Sequence, residues 1–379
     1  MHKMRIAFFT DSYYPAVDGV VSYINLVREE LERRGHEVYI FAAGNGKTQK
    51  LVEKDKKLFV FRGIPFPLYK QYTISISPLM GRKIREIEPD LIHAQTPAFM
   101  GIMALIASKW YSKPFISTFH TLINSEELIR GFVKNEIITS ASKTLIDNYI
   151  RWFYSVSGTV IVPSESSRSV LLSMGINNIY VIPNGIKIGK RIRKSYARQI
   201  IGIKRNEKVI LYLGRISHEK NLDLLLSVAD RLEKNDIMII IAGDGPYLDK
   251  LKHETRLLRL SNVKFTGFVP EEKKALYYSA ADLFINPSNF ETFSIVDLEA
   301  MSNGLPILVP SGTAQEEYLR SGKCGEAFRK NDGLDLYEKV LYMIENTEEY
   351  TPFNCAKKYS VEKSVSKLMK VYESLLKQK

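Results

Sequence analysis

Two glutamates stand eight residues apart, Glu291 and Glu299, and a guanidinium and an ammonium stand close together at Arg215 and Lys220. Arg215 offers a planar fork of donors and Lys220 a point charge, a pair suited to a diphosphate. Both belong to Gly214-Arg215-Ile216-Ser217-His218-Glu219-Lys220, which follows a strand pattern and opens a helix. The stretch Asn289-Phe290-Glu291-Thr292-Phe293-Ser294-Ile295 leads into a second helix, which carries Glu299. The first amides of a helix are unpaired and lie at its positive end, where an anion is favoured. Eight residues span about 12 Å if all are helical, roughly the reach from a transferred sugar across a diphosphate to a ribose. One carboxylate then holds sugar hydroxyls and the other ribose hydroxyls, with helix amides on the phosphates between. Two glutamates on a helix are by themselves more often a solvated face. The basic pair and the strand–loop placement favour a site.

Other chemistries fail on their residues. Gly243-Asp244-Gly245-Pro246-Tyr247-Leu248 has Leu248 where a dinucleotide fingerprint needs its third glycine, and Gly46-Lys47-Thr48 lacks the first glycine of a P-loop, since Phe41 stands there. The chain has no Asp-x-Asp pair, no His-Glu-x-x-His and no Gly-x-Ser-x-Gly, so no metal or cofactor is expected. Two cysteines, Cys324 and Cys355, make neither a disulfide framework nor a four-thiolate zinc site, and both are expected as thiols.

These groups must be placed by elements, and the patterning supplies them. With 379 residues, 45% hydrophobic and 25% charged, the chain has material for two cores. Strand and helix alternate twice. The first series has strands at 4–10, 37–43, 91–94, 115–119 and 159–162, with helices at 20–34, 98–109, 140–154 and 166–173. After Pro183-Asn184-Gly185 come strands at 209–214, 237–242, 263–265, 283–286 and 307–309, with helices at 222–232, 247–258, 271–280 and 295–303. Such alternation predicts α/β architecture, with parallel sheets covered on both faces in two doubly wound domains. The expected division is 1–185 and 186–360, with a last helix in 361–379 packing back on the first domain.

Charge is uneven. Bases and acids balance over 201–379, so the whole net charge of +12 lies in residues 1–200. Residues 45–85 hold Lys47, Lys50, Lys54, Lys56, Lys57, Arg62, Lys70, Arg82, Lys83 and Arg85 against only Glu53 and Asp55, with Phe59, Phe61, Phe66, Tyr69 and Tyr72 among them. No nucleic-acid motif accompanies these bases, which favours an anionic membrane surface over RNA or DNA. Trp152, Phe153 and Tyr154 beside Arg151 read equally well as an interfacial anchor or as core. The chain runs into its first strand with no signal-peptide pattern, and no apolar run is long enough to span a bilayer. A cytoplasmic protein, peripheral at the membrane, is expected.

The motifs resemble those of the retaining GT-B glycosyltransferases of family 4, a group that includes phosphatidylinositol mannosyltransferases and monoglucosyldiacylglycerol synthases. The resemblance runs through Phe9 to Gly19, Ser117-Thr118-Phe119-His120-Thr121, Ile182-Pro183-Asn184-Gly185, Gly214-Arg215, Gly243-Asp244-Gly245-Pro246, Phe265-Thr266-Gly267-Phe268-Val269 and Glu291 to Pro306. It implies two Rossmann-like domains facing a cleft, and transfer of a hexose from a nucleoside-diphosphate sugar with retention at the anomeric carbon. His120, Arg215, Lys220 and Glu291 take the catalytic roles. Donor binding falls to Gly19, Arg215, Lys220, Phe268, Val269, Glu291, Thr292, Phe293, Ser294, Ile295 and Glu299, with Glu299 on the ribose and the backbone at 268–269 on the base. Asp11 remains a weak candidate beside its role as a cap. This chain departs from the family pattern at Thr292 and Ser294, where glycines are usual, at Lys187 in place of Asp, and at 311–316, where a Gly-Gly turn is usual. The acceptor implied is a membrane lipid such as diacylglycerol. A soluble sugar or sugar phosphate is the alternative acceptor, and a nucleotide-sugar-binding protein without turnover the alternative class.

Overall fold

Apolar runs and helical periodicity resolve, in this computed structural model, into two parallel sheets. Residues 3–14, 18–44, 55–65, 73–75, 77, 79–120, 136–189 and 191–377 are described, with only the backbone in 64–65, 73–74 and 136–143. The first series is β1 (Arg5–Thr10), α1 (Gly19–Arg33), β2 (Glu37–Gly44), β3 (Leu58–Arg62), the hairpin β4 (Ile64–Pro65) and β5 (Thr73–Ile74), α2 (Leu79–Ile87), β6 (Leu91–Ala94), α3 (Phe99–Trp110), β7 (Phe115–Thr118), α4 (Glu136–Ser157), β8 (Val160–Val162), α5 (Glu165–Ser173) and β9 (Ile179–Val181). The second is α6 (Lys194–Ile201), β10 (Lys208–Leu213), a 3-10 turn His218–Lys220, α7 (Leu222–Ser227), α8 (Ala229–Glu233), β11 (Ile237–Ala242), α9 (Leu248–Leu257), β12 (Val263–Gly267), α10 (Glu271–Ala280), β13 (Leu283–Ile285), α11 (Ile295–Ser302), β14 (Ile307–Pro310), a 3-10 stretch Ala314–Ser321, β15 (Gly325–Phe328), α12 (Gly333–Glu345) and α13 (Pro352–Ala356). The last helix is α14 (Val361–Lys377). By their contacts these residues form two compact units, Met1–Gly185 with Val361–Lys379, and Ile186–Ser360.

In the first unit the strand order is β3-β2-β1-β6-β7-β8-β9, and the sheet pairs are parallel. Successive residues of β1 feed opposite faces, as the two-residue period of a strand requires. Ile6 and Phe8 enter a core closed by α1 and α14, while Ala7 and Phe9 enter one closed by α2, α3, α4 and α5. Helix α1 starts where the Asp18 carboxylate accepts the Val21 amide at 2.9 Å, a side-chain cap for an otherwise unpaired donor. It stops before Gly35, whose φ of 89° only glycine adopts at low cost.

Helix α14 is tied to this unit by polar contacts as well as by its apolar side. Arg34 donates to the Glu362 carbonyl at 2.7 Å, and the Ser364 hydroxyl to the Pro183 carbonyl at 2.7 Å. The Tyr372 hydroxyl meets His93 Nδ1 at 2.7 Å, and Thr118 Oγ1 meets His93 Nε2 at 2.6 Å. Burial holds the His93 pKa well below its ordinary value, so the ring stays neutral.

The second sheet has the order β12-β11-β10-β13-β14-β15, again parallel throughout. One face is covered by α6, α10, α11 and α13, the other by α7, α8, α9 and α12. Two expectations need correction. The helix expected over 222–232 is two helices parted at Val228, whose φ of –108° departs from helical geometry. Cys324 and Cys355, expected as thiols, form a disulfide with their Cα atoms 6.0 Å apart. Tertiary packing brings α13 against the start of β15, and spacing along the chain gave no sign of it. Phe153 and Tyr154 are core, whereas Trp152 is exposed, so the three aromatics do not act as one anchor. Lys47, Lys50, Lys54, Lys70, Phe66, Tyr69 and Tyr72, from the basic stretch, lie outside the described residues, as does Gly46-Lys47-Thr48.

Removing the Tyr372 hydroxyl would strand a buried imidazole nitrogen. Tyr372→Phe is expected to lower the unfolding free energy by about 1–3 kcal/mol in urea titration. An unchanged midpoint would show that the bond to His93 does not anchor the last helix.

Candidate functional site

In the second sheet the chain steps from β10 towards β11 and β12 in one direction, and from β13 towards β14 and β15 in the other. The loops leaving the carboxyl ends of β10 and β13 therefore diverge, and an open α/β sheet binds ligands in the crevice they leave. The first of these loops carries Arg215 and Lys220, the second Glu291 to Ser294. Both are held rigidly. A side chain at Gly243 would overlap the Gly214 carbonyl oxygen, and one at Gly245 the Ile216 carbonyl oxygen. This close approach lets Ile216 N donate to Asp244 O at 2.9 Å and Tyr247 N donate to Ile216 O at 3.1 Å. The Gly-Asp-Gly-Pro element is thus a backbone brace for the Arg215 loop.

Lys220 Nζ and Glu291 Oε1 lie 2.5 Å apart, with the side chains only 22% and 14% exposed. Burial works against the Lys220 charge, but the Glu291 carboxylate, aided by Glu219 and Asp297, outweighs it and holds the ammonium above its ordinary range. The loops are stapled to each other as well. Ser288 Oγ donates to the Glu219 carbonyl at 3.3 Å, while Asn221 and Asn289 both donate to Asn331 Oδ1, at 3.1 and 2.8 Å. Arg215 projects an exposed side chain from the same loop, and its carbonyl accepts the Tyr212 hydroxyl at 2.7 Å.

Glu291 precedes α11 rather than lying on it, so the span to Glu299 is part loop and part helix. Ser294 occupies the N-cap of α11 without a side-chain capping bond. Its hydroxyl instead accepts from Asn286 Nδ2 at 3.0 Å. The Tyr318 hydroxyl both accepts the Ser294 amide at 3.1 Å and donates to the Ser294 carbonyl at 3.0 Å. Beneath the first turn lies Asp297, fully buried, which accepts from Asn286 Nδ2 at 2.9 Å and Gln315 Nε2 at 3.0 Å. Burial pushes its pKa up to about 7, against the pull of Asn286 and Gln315. Thr292 and Phe293 are buried and Ile295 half-buried, so of this stretch it is the Glu291 carboxylate that meets a charged group.

Glu299 faces a different neighbourhood. Its Oε2 accepts the Tyr278 hydroxyl at 2.9 Å, and Lys274 Nζ lies 3.3 and 3.4 Å from its two oxygens. Burial raises its pKa despite Lys274. These groups line a cavity of about 170 Å³ together with Lys187, Glu271 and Asn303. The loop after β12 ends at Phe268, which is 61% exposed, and at Val269, which is buried. Among the described residues, no three His, Cys, Asp or Glu gather as metal ligands.

Gly19 and His120 belong to the first unit and are described within it. Gly19 is the exposed first residue of α1, directly after the Asp18 cap. His120 follows β7; its Nε2 meets Gln95 Oε1 at 3.0 Å and its ring lies edge-on to Tyr23. Burial lowers its pKa to about 3, so it is neutral. Asp11 accepts the Met100 amide at 2.9 Å and the Thr96 hydroxyl at 2.5 Å. It caps α3 from another loop. Sequence reasoning did not single out Asn286, Asp297, Gln315, Tyr318, Lys274 or Tyr278. Each acts through a neighbour distant in sequence, and only the i, i+4 spacing of Lys274 and Tyr278 after the Phe268 loop carried a local signal.

Residues 17–190 match the model described as Glycosyltransferase Family 4, and residues 194–359 that described as Glycosyl transferases group 1. The alpha-monoglucosyldiacylglycerol synthase of Streptococcus pneumoniae is 32% identical over 318 residues, covering 80% of this chain and 70% of that protein. The enzyme of the same name from Acholeplasma laidlawii is 27% identical, covering 91% and 89%. Among solved structures, sucrose-phosphate synthase from Thermosynechococcus elongatus superposes with a TM-score of 0.82 at 17% identity over the whole of both chains. HepE of Anabaena, solved with UDP and glucose, superposes with a TM-score of 0.75 at 21% identity, covering 98% of this chain and 100% of that one. The architecture is that of the GT-B glycosyltransferases.

Asp297 supplies a test of the site's electrostatics. Its folded pKa of about 7 lies above the ordinary 3.8, so between those values the folded chain binds a proton that the unfolded chain does not. Stability conferred through Asp297 is therefore lower above pH 7 and rises as pH falls towards 4. The unfolding free energy of wild type minus that of Asp297→Asn should be about 3 kcal/mol more favourable at pH 5 than at pH 8. A pH-independent difference would mean that Asp297 keeps its charge in the fold.

Proposed function

The chain belongs to glycosyltransferase family 4, and on that premise we propose that it moves a hexose from a nucleoside-diphosphate sugar to the hydroxyl of a membrane lipid, with retention at the anomeric carbon. The observation that carries this reading is the Lys220–Glu291 pair at the divergence of the β10 and β13 loops, beside an α11 terminus whose N-cap side chain is engaged elsewhere. Lys220, with Arg215, takes the diphosphate, and the α11 amides of Ile295 and its neighbours share its charge. Glu291 then turns to the hydroxyls of the transferred sugar. Glu299, set with Tyr278 and Lys274, takes the ribose, and the backbone at Phe268 and Val269 the base. In the first unit, Gly19 and the neutral His120 serve the sugar and acceptor side.

The reaction in this reading needs no covalent intermediate. The acceptor oxygen attacks the anomeric carbon on the face the diphosphate leaves. The bond from that carbon to the phosphate oxygen breaks as the new C–O bond forms, and the hydroxyl proton passes to the departing phosphate. Charge develops on the leaving group, where Lys220 and Arg215 stabilise it; preorganised groups of this kind often dominate catalysis. That role is assigned to these side chains rather than to a divalent metal. The lipid acceptor is favoured by the named activity of the two monoglucosyldiacylglycerol synthases and by the concentration of positive charge in residues 1–200.

A panel of UDP- and GDP-hexoses offered with diacylglycerol, phosphatidylinositol and soluble sugar phosphates, read by mass spectrometry, tests donor and acceptor together. The expected product is a hexosyl lipid, with the donor's anomeric configuration seen by NMR. Hexose appearing only on soluble sugars would overturn the lipid assignment, and an inverted product the mechanism. Lys220→Ala should reduce turnover about 10²–10³-fold in a protein that still unfolds cooperatively.

A further inference from the structure

The chain has two tryptophans, Trp110 and Trp152, and both are exposed, by 79% and 47% of their surface. Large aromatics are ordinarily drawn well into a fold, and the core beneath these two is filled without them. Met100, Ala104, Ile150, Phe153 and Tyr154 close that side of the first unit's sheet.

Trp110 and Trp152 lie on adjoining helices. α3 and α4 both cover the same sheet face, and they pack directly: a side chain at Gly101 would come 3.0 Å from the Phe153 ring, and the Tyr149 hydroxyl bonds the Pro97 carbonyl. Their outward sides therefore adjoin. That of α3 shows Ile106 and Trp110, four residues apart, and that of α4 shows Leu145, Trp152 and Val156 at helical spacing, all exposed. The charge there is mostly positive, although α4 also carries the half-buried Asp147. Exposed Lys109 and Arg151 have no ion-pair partner among the described residues, and α3 contains no acid at all. α2, joined to α3 where the Tyr111 hydroxyl donates to the Gly81 carbonyl at 2.9 Å, adds exposed Leu79 and Arg85, together with Glu86, which is held in ion pairs with Arg82 and Lys83.

We propose that this outer face of α3 and α4 is the surface by which the protein seats on an anionic bilayer. An indole combines a large apolar body with a polar N–H, and so settles at the headgroup level. Lys109, Arg151 and Arg85 meet the lipid phosphates, each base near the surface adding about fivefold to partitioning. The bases beside the aromatics, without exposed acids on α3, select a negatively charged lipid surface over a neutral one. This inference extends the lipid-acceptor reading by naming how the enzyme reaches its substrate.

Since the face carries every tryptophan of the chain, intrinsic fluorescence reports on it alone. With phosphatidylglycerol vesicles the emission should shift to shorter wavelength and be quenched by brominated acyl chains. The effect should fade in high salt and be absent with phosphatidylcholine. Lys109→Glu with Arg151→Glu, and separately Trp110→Ser with Trp152→Ser, should each weaken vesicle binding at least tenfold in sedimentation, with unchanged unfolding midpoints. No shift with either vesicle would overturn the proposal, as would an equal shift with both. So would a shift that appears on concentrating the protein without lipid, which would make a second copy the occupant. Turnover of diacylglycerol dispersed in detergent, measured alongside, separates the two ideas. Vesicle binding without such turnover sinks the acceptor reading alone, and turnover without vesicle binding sinks the docking face alone.

Discussion

The ion pair between Lys220 and Glu291 is the contact on which the candidate site depends. It joins the two loops that part company at the centre of the second sheet, and it holds the ammonium above its ordinary range against the opposing effect of burial. A half-buried pair of this kind is weak evidence for stability, because desolvation consumes much of the Coulomb attraction. Its value lies in what it holds ready. A diphosphate offers Lys220 more negative charge than one carboxylate does, and a carboxylate displaced from the ammonium is an acceptor for hydroxyl groups. In the proposed reading, the pair is thereby a charge-neutral placeholder for the diphosphate and the sugar hydroxyls.

Around the pair, rigidity comes from the backbone. The Gly243 and Gly245 turn lies so close to Gly214 and Ile216 that no side chain fits between, and the loop bearing Arg215 inherits the position of β11. On the other side, Tyr318 clasps both backbone groups of Ser294, while Asn286 and Gln315 hold Asp297 under the first turn of α11. The start of that helix is fixed from beneath and from the side, and Ser294 does not cap it. The first unit treats its corresponding loops differently. There Asp11 and Asp18 cap α3 and α1 themselves, so those termini already hold an acidic partner.

Much of the fold was legible in the sequence because parallel strands buried on both faces write themselves as unbroken apolar runs. β11, β6 and α10 occupy the residues that the pattern assigned to them. Shorter edge elements were not legible. β3, β9 and β15 have only five, three and four residues, too few to set a period, and helices α2, α6 and α12 mix polar with apolar residues, so their type was decided by what they pack against. Of the site, the residues with distinctive chemistry could be read directly, and the structure unites Lys220 with Glu291. Glu299 lies instead with Tyr278 and Lys274. The supporting residues could not be read, since Tyr318 and Asp297 are ordinary side chains until the fold brings Ser294 and Asn286 to them. The disulfide between Cys324 and Cys355 was illegible for the same reason.

The central claim is that the second unit grips a pyrophosphate through Lys220. Calorimetric titration of the whole protein with UDP and GDP, and with uridine and guanosine, in wild type and in Lys220→Ala, addresses it most directly. The account predicts that one of the diphosphates binds, that its affinity falls at least tenfold in the variant (about 1.4 kcal/mol), and that the matching nucleoside is unaffected. Equal affinity of the two proteins for the diphosphate would contradict it.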